Sequence, residues 1–245
     1  DLNRLSYNSF ISHLRKINLP MDSSAKVVKP RLLHGSQWGI IDPVDTPDGG
    51  NVGFHKHMAI STHITSGCSS YPMMKFFRSM LNMKLLEECT PSSLFSASKI
   101  MINGVWVGVL NNPQETMRLV KKYKRNGLIP IYNSISWNIH KNEILVYTDS
   151  GRLCRPLFYI ENNKASFNKK ELLEKITKND FYWNDLLTGF AKKKIDSFNP
   201  NKCNIYKINE LYDTNNFDDL DSSQGIIEYL DTAEEECALI STNYN

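Results

Sequence analysis

Leu2, Leu5, Phe10, Leu14 and Ile17 recur at mostly helical spacing, with Arg4, Arg15 and Lys16 on other faces, and predict an amphipathic helix over residues 3–17 that Pro20 ends. Residues 21–26 are small and polar and predict a mobile loop; the following Lys29-Pro30-Arg31 gives it a basic stem, Pro30 biasing Lys29 away from helix. Residues 38–53 crowd prolines and glycines among aspartates, a composition that forces tight turns rather than regular structure. An apolar, Met-rich helical pattern returns over residues 72–86. Residues 99–109 read as two strands around Asn103-Gly104, a strong hairpin signal. Pro113 suits a first helical position, and Asn126-Gly127 supplies that helix with its stop. The β-rich runs 134–140, 143–148 and 152–160 predict an antiparallel meander, residues 168–194 a helical stretch, residues 199–224 a polar and partly irregular one, and residues 226–230 a last short strand before 231–236. No internal repeat with a period of about 20–50 residues is visible. Strands and helices segregate rather than alternate, so the fold class is α+β: a segment of helix and irregular loops, then mixed helix and antiparallel-strand domains.

The chain has 245 residues, 41% of them hydrophobic, enough to bury a core in one or two domains. Its 29 basic and 26 acidic residues leave a formal charge of only +3, so contact with nucleic acid has to be local. Cys68, Cys89, Cys154, Cys203 and Cys237 form no CxxC pair, and their odd number does not suit a complete disulfide framework, which points to a reducing compartment. No apolar run approaches the roughly 20 residues that span a bilayer, and the polar start lacks the apolar middle of a signal peptide. These features predict a soluble, intracellular protein with no membrane contact. The first residue is not Met and falls inside a helical pattern, and the last residues supply no closing element, which reads as a piece of a longer chain.

Several side chains invite a functional reading and carry a structural one beside it. Asp45 and Asp48, in a Thr-Pro-Asp-Gly setting, are explained on spacing alone by turn-stabilising bonds to backbone. Lys26, Lys29 and Arg31 are, on the same basis, solvated loop charges. Arg118, Lys121, Lys122, Lys124 and Arg125 share a helix with apolar Met117, Leu119, Val120 and Tyr123 and read as its wet face, and Lys192-Lys193-Lys194 is read the same way. His55, His57 and His63 lie close in sequence, but no cysteine stands at metal-ligand spacing and no metal is assigned to them. Arg152 and Arg155 could pair with acids such as Glu234, Glu235 and Glu236 across a domain surface, an exposed contact worth about 0–1 kcal/mol, and are read as structural or interface candidates only.

Ordered segments add a resemblance that spacing does not supply. Leu2-Asn3-Arg4-Leu5-Ser6-Tyr7 and Ser12-His13-Leu14-Arg15-Lys16 come first, followed by Lys29-Pro30-Arg31-Leu32-Leu33-His34 with Trp38-Gly39. Then come Pro43-Val44-Asp45-Thr46-Pro47-Asp48-Gly49 and Asn51-Val52-Gly53. Asn103-Gly104-Val105-Trp106-Val107-Gly108, Asp149-Ser150-Gly151-Arg152 with Arg155-Pro156-Leu157, and Glu228-Tyr229-Leu230-Asp231 with Glu234-Glu235-Glu236 complete the series. In this order they resemble the second-largest (beta-type) subunit of multisubunit DNA-directed RNA polymerases, from part of the fork through the external region. The 43–49 run is similar to the family's Pro-x-Glu-Thr-Pro-Glu-Gly, with aspartate in place of glutamate at both acidic positions, which shortens each carboxylate's reach. His34 and Trp38 look more like the eukaryotic, archaeal or large-DNA-virus branch, and the richness in Asn, Lys and Ile is consistent with an AT-rich genome such as that of a large DNA virus.

The resemblance implies approximate domains: 1–70 in the fork, 71–160 in external region 1 and 161–245 in external region 2. It implies nucleotidyl transfer by a complete enzyme whose Mg2+ ions are bound outside this chain, so that the chain alone is inert and holds no metal or catalytic residue of its own. Asp45, Asp48 and Asn51 would support the active centre by positioning. Lys26, Lys29 and Arg31 would contact nucleic acid near a fork loop, with Arg31 the foremost candidate. Implied partners are the largest (beta-prime-type) subunit, other polymerase subunits, the DNA template, the RNA–DNA hybrid and nucleoside triphosphates. The implied location is the nucleus, or a cytoplasmic viral factory or virion. Two other classes stand beside this one: a non-catalytic nucleic-acid or protein-binding module that reuses the region, and a purely structural scaffold.

Overall fold

The computed structural model describes residues 1–22, 24, 26–168, 170–179, 181–189, 220–221 and 223–241. Ser23 and Ala25 of the polar loop, the Lys192-Lys193-Lys194 run, Cys203 and nearly all of the stretch 199–224 lie outside the described residues. Helices and several sheets make an α+β fold that divides into two compact units, one of Asp1–His63 with Leu153–Arg155, the other of Ile64–Arg152 with Pro156–Asn245.

In the first unit the helix is shorter than the apolar spacing predicts. α1 spans Tyr7–Leu14 because Ser6 caps it: the Ser6 hydroxyl accepts from the Ser9 amide at 3.1 Å while the Ser9 hydroxyl accepts from the Ser6 amide at 2.9 Å. Past Arg15 the chain turns extended, and β1 (Lys16–Asn18) pairs antiparallel with β2 (His55–His57), Lys16 opposite His57 and Asn18 opposite His55. This ladder closes the segment 19–54 into one long excursion. Within it single 3-10 turns replace regular structure at Lys29–Arg31, Gly35–Gln37 and Gly49–Asn51, and Ile40, Ile41 and Phe54 form the buried centre. β3 (His63–Ile64) follows.

The second unit is built on a five-stranded mixed sheet. α2 (Tyr71–Met80) ends well before residue 86, and β4 (Lys84–Leu85) takes the remainder of the stretch predicted as helix. Thr90 caps the short α3 (Pro91–Ser96), which no sequence signal above announced. β5 (Ser98–Ile102) and β6 (Val105–Leu110) form the expected hairpin, with Asn103 and Gly104 both at positive φ, 49° and 81°, as a two-residue turn of this kind requires. α4 runs Pro113–Arg125 with Asn126 as its C-cap, as predicted. β7 (Ser134–Asn138) and β8 (Glu143–Tyr147) pair antiparallel, but the order β4-β6-β5-β8-β7 corrects the meander. The free edge of β8 is taken by β5 in parallel, Lys99 opposite Glu143 through Ile102 opposite Val146, so β9 (Leu153–Phe158) has no edge there to join. Ile100, Ile102, Ile144 and Val146 thereby face one core with Met73, Phe76 and Phe77 of α2 and Val120 and Tyr123 of α4, the Phe76 and Tyr123 rings 4.8 Å apart.

The strands β10 (Ile160–Glu161) and β11 (Lys164–Ala165), then α5 (Lys170–Thr177) and α6 (Trp183–Thr188), follow. The predicted helical stretch is thus broken between Thr177 and Trp183. β12 (Ile227–Asp231) ends in α7 (Thr232–Glu236), capped by Asp231, whose carboxylate accepts from the Glu234 amide at 2.8 Å.

Candidate functional site

The turn over residues 43–53 is fixed at its base. Asp42 starts it as an Asx turn, its Oδ1 accepting from the amides of Val44 at 2.9 Å and Asp45 at 3.3 Å. The Asp45 carboxylate accepts from the Ser12 hydroxyl of α1, and the Asp45 carbonyl lies 2.9 Å from Nδ1 of His57. Thr46 spans the mouth: its hydroxyl accepts from the Gly53 amide at 3.0 Å and donates to the His55 carbonyl at 3.3 Å. The side-chain bonds to turn backbone that spacing alone favours for Asp45 are thus made by Asp42, while Asp45 has its side-chain partner in Ser12. Asp48 has none: it occupies the cap position of Gly49–Asn51 without a capping bond, and among the described residues its side chain and that of Asn51 have no hydrogen-bond or ion-pair partner.

Arg31 is spent on this turn. Its Nη1 donates to the carbonyls of Gly50 and Val52, both at 2.7 Å, its Nε donates to Val27 at 3.2 Å, and its guanidinium lies 4.0 Å from the centroid of the Phe54 ring. Gly53, at φ 74°, lets the two strands of chain touch, since a Cβ there would fall 2.3 Å from the Arg31 carbonyl. Lys26 and Lys29 are exposed, and among the described residues their ammonium groups have no partner. The structure thus brings Arg31 together with the segment carrying Asp48 and Asn51, and leaves both lysines facing solvent.

Two further side chains of the site, Lys56 and His55, are given no role in it by the sequence. Lys56 is buried and donates to the Leu32 carbonyl at 3.1 Å and to Oε1 of Gln37 at 3.3 Å, tying the segment after the basic stem to β2. His55 has Asn18 as partner at 2.7 Å, and its imidazole is held below its ordinary pKa by desolvation and then by the charges of Lys16 and His57. Among the described residues no three His, Cys, Asp or Glu side chains group as a metal site.

The later landmarks converge inside the second unit. Arg152 Nη1 reaches the buried Asp231 carboxylate at 2.5 Å, while Nη2 donates to the Tyr132 carbonyl at 2.9 Å. The pairing of Arg152 with Glu234–236 is thereby corrected: its partners are Asp231, in a pair largely removed from water, and the more exposed Asp149 at 3.0 Å. The wet-face reading of α4 also fails, except at Arg118, which is exposed. Lys124 Nζ lies 3.1 Å from Glu234 and 2.8 Å from the Tyr229 carbonyl; Lys121 lies 3.4 Å from Glu234 and 3.5 Å from Glu228; Arg125 Nε donates to Glu228 at 3.1 Å and its guanidinium stacks 3.6 Å from the Tyr159 ring. Lys122 pairs with Asp221 at 2.7 Å.

Burial alone would raise the Glu228 carboxyl, but Lys121, Lys124 and Arg125 hold it down, from an ordinary 4.5 to about 2. Its folded-state pKa is depressed, so the stability it contributes is present above the unfolded value and lost as pH falls through the folded one. The stability difference between the wild-type chain and Glu228→Gln is therefore expected to shrink as pH drops from about 5 to about 2, read by urea unfolding at stepped pH. A difference that stays constant across that window would contradict the assignment.

Comparison with known proteins now bears on the whole chain. Residues 2–64 match the domain family described as RNA polymerase Rpb2, domain 3, and residues 100–161 match RNA polymerase Rpb2, domain 4. The chain is 32% identical over 243 residues to DNA-directed RNA polymerase II subunit 2 of Arabidopsis thaliana, covering 98% of this chain and 17% of that protein. It is 31% identical over 242 residues to RNA polymerase II subunit RPB2 of Encephalitozoon cuniculi, covering 99% and 18% respectively. With RNA polymerase III subunit RPC2 of Drosophila melanogaster it shares 29% over 244 residues, again 99% of this chain and 18% of the relative. The chain thus spans under a fifth of the length of these relatives, and no helix among its described residues is long and apolar enough to cross a membrane. Matched in two successive domains and aligned almost end to end with such relatives, the chain belongs to the second-largest-subunit family of DNA-directed RNA polymerases.

Proposed function

We propose that this chain serves template-directed RNA synthesis within a complete multisubunit polymerase, with the loop 21–26 near the downstream edge of the transcription bubble and the 43–53 turn beside the mobile catalytic elements. The observation that carries the reading is the division of labour in the basic stem: Lys26 and Lys29 point free charge at solvent, while Arg31 turns inward to hold the segment bearing the unpartnered Asp48 and Asn51. Free lysines suit sequence-independent contact with phosphates, and a tethered turn suits positioning. Asp48 and Asn51 act as supports for nucleotide addition, and Asp45 holds the base from which they project.

Two magnesium ions supply the electrostatic chemistry of nucleotidyl transfer when bound to the complete enzyme. On this reading those ions are held outside this chain, and the 43–53 turn positions rather than ligates, its Asp45 carboxylate accepting from the Ser12 hydroxyl. The partners are the largest subunit and other polymerase subunits, the template and the RNA–DNA hybrid, with nucleoside triphosphates as substrate. The nucleus is the proposed site of action; the compared relatives lend no support to a viral one.

The test is the salt dependence of bubble binding by the complete polymerase carrying Lys26→Ala and Lys29→Ala together. Loss of two phosphate contacts is expected to flatten the slope of log affinity against log salt by about 1–2. An unchanged slope would remove both lysines from the nucleic-acid surface.

A further inference from the structure

β2 sets the His57 ring inward, 8% exposed, against residues 42–45. Its backbone carbonyl accepts from the Asp42 amide at 2.8 Å, and its Nδ1 lies 2.9 Å from the Asp45 carbonyl and 3.5 Å from the Asp45 carboxylate. One residue thus grips the start of the turn at both ends of a four-residue stretch. Opposite it, Ser12 holds the outer oxygen of the same carboxylate from α1. Downstream of this grip come Thr46, bonded across the mouth to Gly53, and then Asp48 and Asn51, whose side chains are unpartnered among the described residues.

We infer that His57 is a positioning residue for nucleotide addition, acting through the Asp45 carbonyl to fix the direction in which Asp48 projects. The inference rests on the proposed role of the 43–53 turn beside the active centre. Its physical content is one donor at one place. A ring N–H at Nδ1 donates to a carbonyl that has no other partner inside the turn, and without it the Asp45 backbone keeps only its amide bond to Asp42 on the near side of the turn, the Ser12 contact holding the side chain rather than the carbonyl. An aspartate at position 45 is too short to reach far for support, so the support has to come to it, from Ser12 on one side and His57 on the other. Geometry rather than charge does the work: the Nδ2 of an asparagine occupies nearly the place of a histidine Nδ1 and donates along the same line, whereas alanine leaves the carbonyl unpaired.

The experiment is elongation by the complete polymerase carrying His57→Ala, His57→Asn, Asp48→Ala, or His57→Ala with Asp48→Ala. His57→Ala is expected to slow elongation roughly 10-fold, as small misplacements of supporting groups do, with His57→Asn restoring the rate to within about 2-fold. Because His57 acts through the segment that carries Asp48, adding His57→Ala to Asp48→Ala is expected to cost less than about 2-fold more, the non-additivity of coupled residues. If His57→Asn is as slow as His57→Ala, or if the two alanine effects multiply in full, His57 supports only the fold and the inference is overturned by itself. If Asp48→Ala leaves elongation unchanged, the role of the turn fails, and this inference fails with it.

Discussion

Lys124→Met is expected to destabilise the second unit by about 3–5 kcal/mol, the cost of breaking a buried ion pair by removing one partner. The Lys124 side chain is 3% exposed and Glu234 2%, so neither charge can turn to water when the other is lost. Methionine fills nearly the same volume, which leaves the effect to electrostatics: among the described residues Glu234 keeps only Lys121, at 3.4 Å, as a cationic partner, and the Tyr229 carbonyl loses its bond from Lys124. Arg118→Ala, on the exposed part of the same helix, is expected to change stability by no more than about 0.5 kcal/mol. Urea unfolding of the chain, with amide hydrogen exchange along α4 reporting on this unit, separates the two variants. A loss below about 1 kcal/mol for Lys124→Met would mean that the network adds little beyond a surface pair.

That contrast shows where the sequence was legible. Pro113 and Asn126-Gly127 mark both ends of α4, because start and stop signals are local and act within a turn of the helix. The burial of its basic residues is only partly local: Lys124 falls in register with Met117 and Val120 on the apolar face, but Arg125 lies on the same side of the helix as Arg118, and the acids that cover the two buried cations come from far away, Glu228 103 residues beyond Arg125 and Glu234 110 beyond Lys124. The same limit explains the meander. β7 and β8 are neighbours in sequence and pair as read, but the second edge of β8 goes to β5, which precedes it by about forty residues, as the pairing of Lys99 with Glu143 shows. α1 falls short of residue 17 for a kindred reason, since Lys16–Asn18 are claimed as a strand by His55–His57. In the candidate site, composition sufficed to read 38–53 as a run of tight turns and the resemblance to mark Asp45, Asp48 and Asn51. The supports that hold the turn, Ser12 and His57, come from other elements, and nothing in the sequence pairs either of them with Asp45.

Arg31→Ala is the second large effect. The guanidinium bridges three carbonyls and a ring, and alanine releases all of them, so the tip of the turn loses its tie to the basic stem. Arg31→Lys keeps the charge but has no fork to reach Gly50 and Val52 while covering Phe54, and it is expected to fall close to alanine. A loss of positioning acts on the rate at any ionic strength, whereas a lost phosphate contact weakens as salt rises. The most direct measurement is primer extension by the complete polymerase on a preformed bubble at two salt concentrations, with Arg31→Ala set against Arg118→Ala. Elongation slowed by roughly 10- to 100-fold at both salts for Arg31→Ala, with Arg118→Ala unchanged, is the result that follows from a turn held beside the active centre; unchanged elongation by both variants would contradict it.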